Sequence, residues 1–328
     1  MSTEIKRIAV MTSGGDAPGM NAAIRAVVRA GSYHNLHVYG IYHGYEGMIN
    51  GDLERLERRT VGNIIHRGGT FLKTARSEAF RTPEGRKNAH DSLVAHDIDA
   101  LVVIGGNGTY TGGKIFGEEF DIPVIGVPGT IDNDIFGTDL TIGYDTAVNT
   151  AMECVDRIRD TAESHSRTFF VEVMGRHSGF IALSTAVATG AGRVLIPESS
   201  PTSLDTTIEF LRKSMKRRKK FSLIIVAEGN PYGPVTEIAD RVSAAIPKME
   251  ARVAVIGHLQ RGGSPSRIDR NLASRLGYGA VVGLLEGKHG QAVGLVNDQV
   301  TYTPLEQAIK DAKPVSPDML KLAEILAL

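Results

Sequence analysis

The sequence predicts an α/β protein of two lobes, each a mainly parallel sheet sandwiched by helices. Short β-branched runs alternate with helical patterns along most of the 328 residues, as is typical of parallel sheets covered by helices. The chain is also longer than the roughly 250–300 residues at which a single hydrophobic core stops growing. We therefore expect two domains, each with its own core.

The elements follow from local patterns. The clearest helix is predicted over 146–164, with Asp145 as its N-cap and apolar residues at helical spacing. Residues 305–328 are also expected to be helical, with Leu320, Leu322, Ile325 and Leu326 as packing candidates. The predicted strands are Arg7–Thr12, His37–Tyr42, Ala100–Gly105, Pro123–Val127, Thr168–Val173, Arg193–Pro197, Leu223–Ala227 and Arg252–Gly257.

Composition excludes several classes of protein. Lys+Arg and Asp+Glu both number 37, so no overall positive field favours nucleic acid or an anionic membrane. Cys154 is the only cysteine, which rules out an internal disulfide framework and a cysteine-rich zinc site. No stretch approaches the ~20 apolar residues that span a bilayer. We expect a cytoplasmic protein.

Two carboxylates stand in the loop Gly126-Val-Pro-Gly-Thr-Ile-Asp-Asn-Asp134, directly after an apolar run. Ligands of α/β proteins bind beyond the carboxyl ends of strands, so this loop is placed for chemistry. Asp132 is the candidate catalytic base. The alternative is a purely structural turn, because Asp and Asn favour turns by bonding their own backbone.

Two glycine-rich turns are candidate phosphate sites. Thr12-Ser-Gly-Gly-Asp-Ala-Pro-Gly-Met-Asn21 follows the first strand, and Gly105-Gly-Asn-Gly-Thr-Tyr110 follows the third. Glycine allows close approach of the backbone, and the amino end of a helix favours anions. A tight connection remains the alternative. No Gly-x-x-x-x-Gly-Lys-Ser/Thr motif is present, so another cation must face a bound triphosphate.

Together with Met174-Gly-Arg-His-Ser178, these motifs resemble the ATP-dependent 6-phosphofructokinase family from about Arg7 to Val293. The resemblance implies transfer of a phosphoryl group from ATP to the C1 hydroxyl of fructose 6-phosphate, giving fructose 1,6-bisphosphate and ADP, with Mg²⁺. It also implies a homotetramer whose active sites are shared between subunits. The implied lobes are 1–142 with 258–304 for ATP, and 143–257 with 305–328 for fructose 6-phosphate.

The resemblance assigns roles to individual residues. Asp132 is the general base and Arg76 screens the transferring phosphoryl group, while Arg167 and Arg252 reach the sugar phosphate from a neighbouring subunit. The remaining catalytic candidates are Thr130, Asp134 and Arg176. The nucleotide set is Gly14, Gly15, Arg76, Ser77, Gly106, Asn107, Gly108 and Thr109. The sugar-phosphate set is Thr130, Asp132, Arg167, Met174, Gly175, Arg176, Glu228, Arg252, His258 and Arg261.

The chain departs from the family at one metal position. Asn107 stands where the family pattern Gly-Gly-Asp-Gly-Ser/Thr has the Asp that helps to hold magnesium. An amide offers a neutral oxygen, so we expect weakened metal binding at Asn107. The alternative is an impaired regulatory or sugar-phosphate-binding paralogue. Gly108 and Gly129 stand where pyrophosphate-using members typically carry Asp and Lys, which favours ATP as donor.

Several basic residues are candidates for an effector site. The effector candidates are Arg25, Arg29, Arg58, Arg159, Lys219 and Lys220, although a basic run is usually a solvated face. Asn63, Gly192 and Phe221 replace the Asp, Glu and His common in relatives, so we predict weak or absent activation by ADP. The sugar-phosphate motifs and the lack of a ribose-binding acid disfavour an NAD kinase or a dinucleotide-binding oxidoreductase.

Overall fold

The computed structural model describes residues 5–198, 203–217 and 221–327. The chain forms two compact units. Unit 1 comprises the residues up to Ile131, Ile135–Thr146 and Arg261–Lys313, and unit 2 comprises Asp132–Asp134, Ala147–Gln260 and the residues from Pro314 onward. The chain therefore enters unit 2 briefly at the predicted catalytic loop before it returns to unit 1.

The strands and helices alternate through most of the described residues. The strands are β1 Arg7–Thr12, β2 His37–Ile41, β3 Leu53–Leu56, β4 Ala100–Gly105, β5 Val124–Pro128, β6 Thr168–Val173, β7 Arg193–Leu195, β8 Ser222–Ala227, β9 Ala251–Val255, β10 Gln291–Val296 and β11 Gln299–Pro304. The α-helices are α1 Met20–Tyr33, α2 Gly44–Asn50, α3 Pro83–Ala95, α4 Asn107–Phe120, α5 Tyr144–His165, α6 Phe180–Thr189, α7 Leu204–Lys216, α8 Val235–Ala245, α9 Arg267–Leu285, α10 Leu305–Lys310 and α11 Pro317–Leu326.

Unit 1 is built on a seven-stranded sheet of order β11-β10-β5-β4-β1-β2-β3. The strands from β10 to β2 are parallel, and β3 and β11 pair antiparallel at the two edges. Alternate residues of β1 and β4 face opposite sides of the sheet. Met11 and Leu101 belong to a core that includes Met48, Leu93 and Phe116 from the flanking helices. Ile8 and Ile104 on the other face are also fully buried, so both faces are covered.

Unit 2 has a four-stranded parallel sheet of order β7-β8-β6-β9. β8 is buried along its whole length, as expected for a parallel strand covered on both faces. The core of this unit joins Phe170, Leu195 and Ile224 of the sheet to Leu211 of α7 and Ile238 of α8. The predicted α/β class with mainly parallel sheets is confirmed.

Some element predictions were wrong. The strands β3, β10 and β11 were not predicted, and β7 ends at Leu195 instead of residue 197. β3 reads Leu-Glu-Arg-Leu, and two of its four side chains are charged and exposed. β3 and β11 are edge strands, which need only one buried face, so they lack the continuous apolar run that marked β4 and β8.

The start of α5 also differs from the prediction. Asp145 is not an N-cap, because the helix begins at Tyr144 and Asp145 lies in its first turn. Instead the carboxylate of Asp269, in the first turn of α9, accepts hydrogen bonds from the backbone N–H groups of Gly143 and Thr146, both at 2.8 Å. Asp269 is buried, and this burial raises its pKa although the hydrogen bond from Thr146 opposes the shift. The cap comes from a residue 123 positions away in sequence.

The C-terminal segment contains two helices, α10 and α11, in place of one continuous helical stretch. Leu322, Ile325 and Leu326 are 39%, 52% and 58% exposed, so their prediction as packing residues was wrong. Residues 305–313 lie in unit 1 and not with the second lobe, and 132–134 lie in unit 2. Among the helices of the described residues, none combines the length and apolar character of a bilayer-spanning segment.

Candidate active site

Three loops meet at the carboxyl edge of the unit 1 sheet. β1, β4 and β5 are neighbours, with Thr12 beside Ile104 and Gly105 beside Pro128. Because the strands are parallel, the segments that follow them emerge side by side. The turns at 13–15, 105–109 and 129–130 therefore form one surface, at the edge where α/β proteins bind ligands.

Close packing explains the glycine at 105. The Thr109 hydroxyl donates to the Ser13 carbonyl at 3.0 Å, which joins the first two turns. A Cβ at Gly105 would lie 2.3 Å from Thr109 Oγ1 and 2.5 Å from the Ser13 oxygen, so no side chain fits there. α4 begins at Asn107 directly beyond this turn. Its amino end presents backbone N–H groups and the positive end of the helix dipole, which suit a phosphate.

Gly108 and Gly129, the two glycines that were predicted to favour ATP as donor, have different surroundings. A Cβ at Gly108 would meet no atom within 4 Å, whereas a Cβ at Gly129 would lie 2.9 Å from Ile104 Cγ2. Packing thus excludes a larger residue at 129 unless Ile104 moves. At 108 packing does not require glycine, so the open space above the turn is left for a ligand.

The segment 73–77 lies against the first glycine turn. Thr74 donates to the Gly14 carbonyl at 2.9 Å, and Thr12 donates to the Lys73 carbonyl at 2.8 Å. Arg76 in this segment is exposed, and the Ser77 hydroxyl accepts from the Phe80 N–H at 3.2 Å. These bonds hold a solvent-facing guanidinium on the segment that borders the predicted phosphate turns.

Arg261 also belongs to unit 1. Its Nη1 donates to the Asp16 carbonyl at 3.1 Å, and a Cβ at Gly15 would lie 2.5 Å from the same nitrogen. Arg261 was predicted to bind the sugar phosphate, but its guanidinium lies against the turn predicted to bind the nucleotide. A side chain at Gly15 would require this guanidinium to shift.

In unit 2 the predicted catalytic base, Asp132, lies on a loop that is held by a hydrogen bond. Asp132 is 8% exposed, and its carbonyl accepts a hydrogen bond from the Ser178 hydroxyl at 2.6 Å. Asn133 adopts the left-handed conformation with φ 54°, which Asn tolerates better than most residues. Ser178 ends the Met174–Ser178 motif, so one hydrogen bond joins the catalytic loop to the predicted sugar-binding turn.

That turn is held by two side chains. Glu228 Oε1 accepts from the N–H groups of Gly175 at 3.3 Å and Arg176 at 2.6 Å, and Gln260 Oε1 accepts from the Met174 N–H at 2.8 Å. Gly175 has φ 144°, a conformation that requires glycine. Met174, Glu228 and His258 follow β6, β8 and β9, so they share the carboxyl edge of the unit 2 sheet.

Arg167 and Arg252 lie at the opposite edge of the same sheet. Arg167 precedes β6, and Arg252 is the second residue of β9. A six-residue strand is about 20 Å long, so β6 separates these arginines from Met174 and Arg176. One copy of unit 2 therefore does not bring the predicted sugar-phosphate set together.

The effector candidates are only partly described. Arg58 lines a pocket of about 370 Å³ with His37, Arg55 and Arg59, and Arg25 on α1 has its pKa lowered by burial and by nearby Arg29. Lys219 and Lys220 lie outside the described residues.

In unit 2, aromatic rings lie beside Arg159 and Gly192. The Arg159 guanidinium carbon is 5.9 Å from the centroid of the Phe221 ring, and Arg159 also donates to the Thr189 carbonyl. A Cβ at Gly192 would lie 2.8 Å from the Phe210 ring. A glutamate at 192 would therefore displace Phe210.

Ser178, Gln260 and Asp269 support the site but were not among the predicted site residues. Ser178 stands inside the Met174–Ser178 motif, and no local pattern pointed to the contacts of Ser178 or Gln260. Among residues 5–198, 203–217 and 221–327, no group of three or more His, Cys, Asp and Glu side chains could hold a metal ion. A protein-only metal cage is therefore absent from the described part of the chain.

The chain is similar in sequence and in fold to known proteins. The phosphofructokinase family model matches residues 7–284. The chain is 54% identical to an ATP-dependent 6-phosphofructokinase of Cytophaga hutchinsonii over 98% of both chains, and 53% identical to ATP-dependent 6-phosphofructokinase 1 of Thermus thermophilus over 99% of this chain and 100% of that protein. Its fold matches Saccharomyces cerevisiae phosphofructokinase with a TM-score of 0.89 and 37% identity, covering 98% of this chain and 48% of that one. The protein belongs to the phosphofructokinase family.

Proposed function

We propose that this protein transfers the terminal phosphoryl group of ATP to the C1 hydroxyl of fructose 6-phosphate, giving fructose 1,6-bisphosphate and ADP in glycolysis. One observation carries the proposal. Thr130 borders the glycine turns of unit 1, and Asp132, two residues later, is tied through Ser178 to the sugar-binding turn of unit 2. Both residues belong to one loop, and chain connectivity keeps their Cα atoms within about 7 Å.

The nucleotide is bound by backbone groups and one cation. Gly14, Gly15 and residues 106–109 present N–H groups to the phosphates from turns that lie side by side. Arg76 supplies positive charge to the equatorial oxygens of the transferring group, and Thr130 orients that group. Phosphoryl transfer depends on such positioning and charge stabilisation more than on covalent chemistry by the protein.

Asp132 takes the proton of the C1 hydroxyl as the new P–O bond forms, and Asp134 supports its loop. A carboxylate within hydrogen-bond reach of the acceptor hydroxyl is the usual base for such a step. The sugar phosphate is bound by Arg176, Met174, Gly175, Glu228 and His258. Arginine suits phosphate because its planar guanidinium donates two hydrogen bonds to one anion.

Asn107 would hold Mg²⁺ together with the phosphates of a bound nucleotide, because magnesium is usually bound through few protein ligands and the substrate phosphates. Asn107 Oδ1 is the group that we assign to it at the amino end of α4. When bound, the ion supplies positive charge to the phosphate oxygens.

Arg167 and Arg252 serve the site of a neighbouring copy. Their place at the amino edge of the unit 2 sheet supports this assignment, because the remaining sugar residues of the same chain follow the carboxyl ends of its strands. We accordingly propose a cytoplasmic homotetramer with shared active sites.

The comparisons give no support to the alternative of an impaired paralogue. Proteins that match nearly the whole chain at 51–54% identity are all named ATP-dependent 6-phosphofructokinases. A coupled assay of fructose 1,6-bisphosphate formation tests the proposal directly, with ATP or pyrophosphate as donor and magnesium varied. Turnover with ATP is expected, and turnover with pyrophosphate alone would contradict the assignment of the donor.

A further inference from the structure

A single carboxylate is bound to both arginines at the amino edge of the unit 2 sheet. Glu250 Oε1 accepts from Arg167 Nε at 2.9 Å and also from Arg252 Nη2. The three side chains are partly exposed, at 28% for Arg167, 46% for Glu250 and 48% for Arg252. The arginines assigned to a phosphate are thus already paired with an anion of the same chain.

The strands themselves impose this pairing. β6 and β9 are parallel neighbours with Thr168 beside Ala251, and the Thr168 N–H donates to the Glu250 carbonyl at 3.1 Å. Residue 250 therefore lies beside residue 167. Alternate residues of a strand point to the same side, so Glu250 and Arg252 share a face. The register of the two strands, more than the choice of side-chain rotamer, places the Glu250 carboxylate between two guanidinium groups.

We propose that Glu250 is a positioning residue that competes with the sugar phosphate for Arg167 and Arg252 and so sets the affinity for the acceptor. The inference rests on the proposed function, in which these arginines contact fructose 6-phosphate bound to a neighbouring copy. A phosphate oxygen and a carboxylate oxygen make the same charge-assisted hydrogen bonds with guanidinium, so one anion must displace the other.

This competition predicts a particular kinetic change. The two arginines and Glu250 carry a net charge of +1, and removal of the carboxylate leaves +2 for the phosphate. Because Glu250 acts on binding of the acceptor and touches no reacting atom, its loss alters KM for fructose 6-phosphate and leaves kcat unchanged.

The test is steady-state kinetics of Glu250→Gln, which keeps the shape of the side chain. KM for fructose 6-phosphate is expected to fall about two- to five-fold, the size that one exposed ion pair allows, with kcat within about two-fold. Inorganic phosphate should also become a stronger competitive inhibitor. Glu250→Asp, whose shorter side chain cannot reach both arginines, should give an intermediate KM. The control is Glu153→Gln on α5, which removes another exposed Glu–Arg pair, that with Arg157, and should leave KM unchanged.

Arg252→Ala separates this inference from the proposed function on which it rests. Suppose that Arg252→Ala raises KM for fructose 6-phosphate. An unchanged KM in both Glu250 variants would then overturn the competition alone. A higher KM in both Glu250 variants would also overturn the competition and would make Glu250 a support for the arginines. An unchanged KM in Arg252→Ala would overturn both statements. A change in kcat without a change in KM for Glu250→Gln would also refute the inference.

Discussion

The carboxyl edges of the two sheets carry different kinds of chemical group. In unit 1 the edge consists of glycine turns joined by hydroxyl groups, as in the bond from Thr109 to the Ser13 carbonyl. In unit 2 the edge carries ionised side chains, and the Glu228 carboxylate holds the backbone of Gly175 and Arg176. Backbone N–H groups can surround a polyphosphate, whereas a sugar phosphate needs side chains that distinguish hydroxyl from phosphate. We therefore expect the main chain to contribute more to donor binding in unit 1, and side chains to contribute more to acceptor binding in unit 2.

Asp132→Asn should have the largest effect, because it removes the one group that we assign to proton transfer. We expect kcat to fall about 10²- to 10⁴-fold, the usual contribution of a general base. Stopped-time assays of fructose 1,6-bisphosphate measure it. Asp121→Asn is the matched control, since Asp121 is exposed and its φ of 53° also suits Asn. A loss below ten-fold at 132 would remove Asp132 from the role of base.

Paired glycine substitutions test whether the edges differ as described. A Cβ at Gly229 would lie 1.8 Å from the Arg176 carbonyl oxygen, so Gly229→Ala must displace the sugar-binding turn. We expect about 1–3 kcal/mol of destabilisation from overpacking and a higher KM for fructose 6-phosphate. Gly108→Ala meets no protein atom within 4 Å and should keep the Tm while raising KM for ATP. Thermal unfolding and two-substrate kinetics distinguish them, and equal Tm losses would refute the contrast.

Asn107→Asp tests whether residue 107 binds magnesium at the carboxyl edge of the unit 1 sheet. A charged oxygen at the amino end of α4 binds magnesium better than an amide and is favoured by the helix dipole. The magnesium concentration for half-maximal rate should fall about two- to ten-fold, as expected when a hard cation gains a charged ligand. Magnesium titrations of both proteins at fixed ATP provide the measurement. An unchanged requirement would mean that residue 107 is not a metal ligand.

The smallest effect is expected from ADP. Gly192 packs against Phe210 and stands where relatives commonly carry Glu, so unit 2 lacks an acid that would help to hold a metal-bound diphosphate. Added ADP should shift half-saturation by fructose 6-phosphate less than about two-fold, a coupling well below the usual allosteric range. Titrations with ADP and with phosphoenolpyruvate check this. Strong activation by ADP would contradict this expectation.

Local patterns predicted the buried strands well. The bounds predicted for β1, β4 and β6 are those observed, because parallel strands covered on both faces are short continuous apolar runs. β3 and β11 were missed, since an edge strand with one solvent-facing side carries polar residues that read as loop. Leu322 and Ile325 follow a helical pattern, yet the pattern alone could not tell which face of α11 packs.

The sequence by itself determined the fold class, the order of the motifs and the residue types that suit phosphoryl transfer, because strand runs, glycine turns and Asp132 are local features. Tertiary structure decided which of them meet. Asp269 caps α5 from α9, Ser178 ties Asp132 to the sugar-binding turn, and Glu250 pairs two arginines across β6 and β9. These contacts depend on strand register and on residues far apart in the chain, and no local pattern encodes such distances.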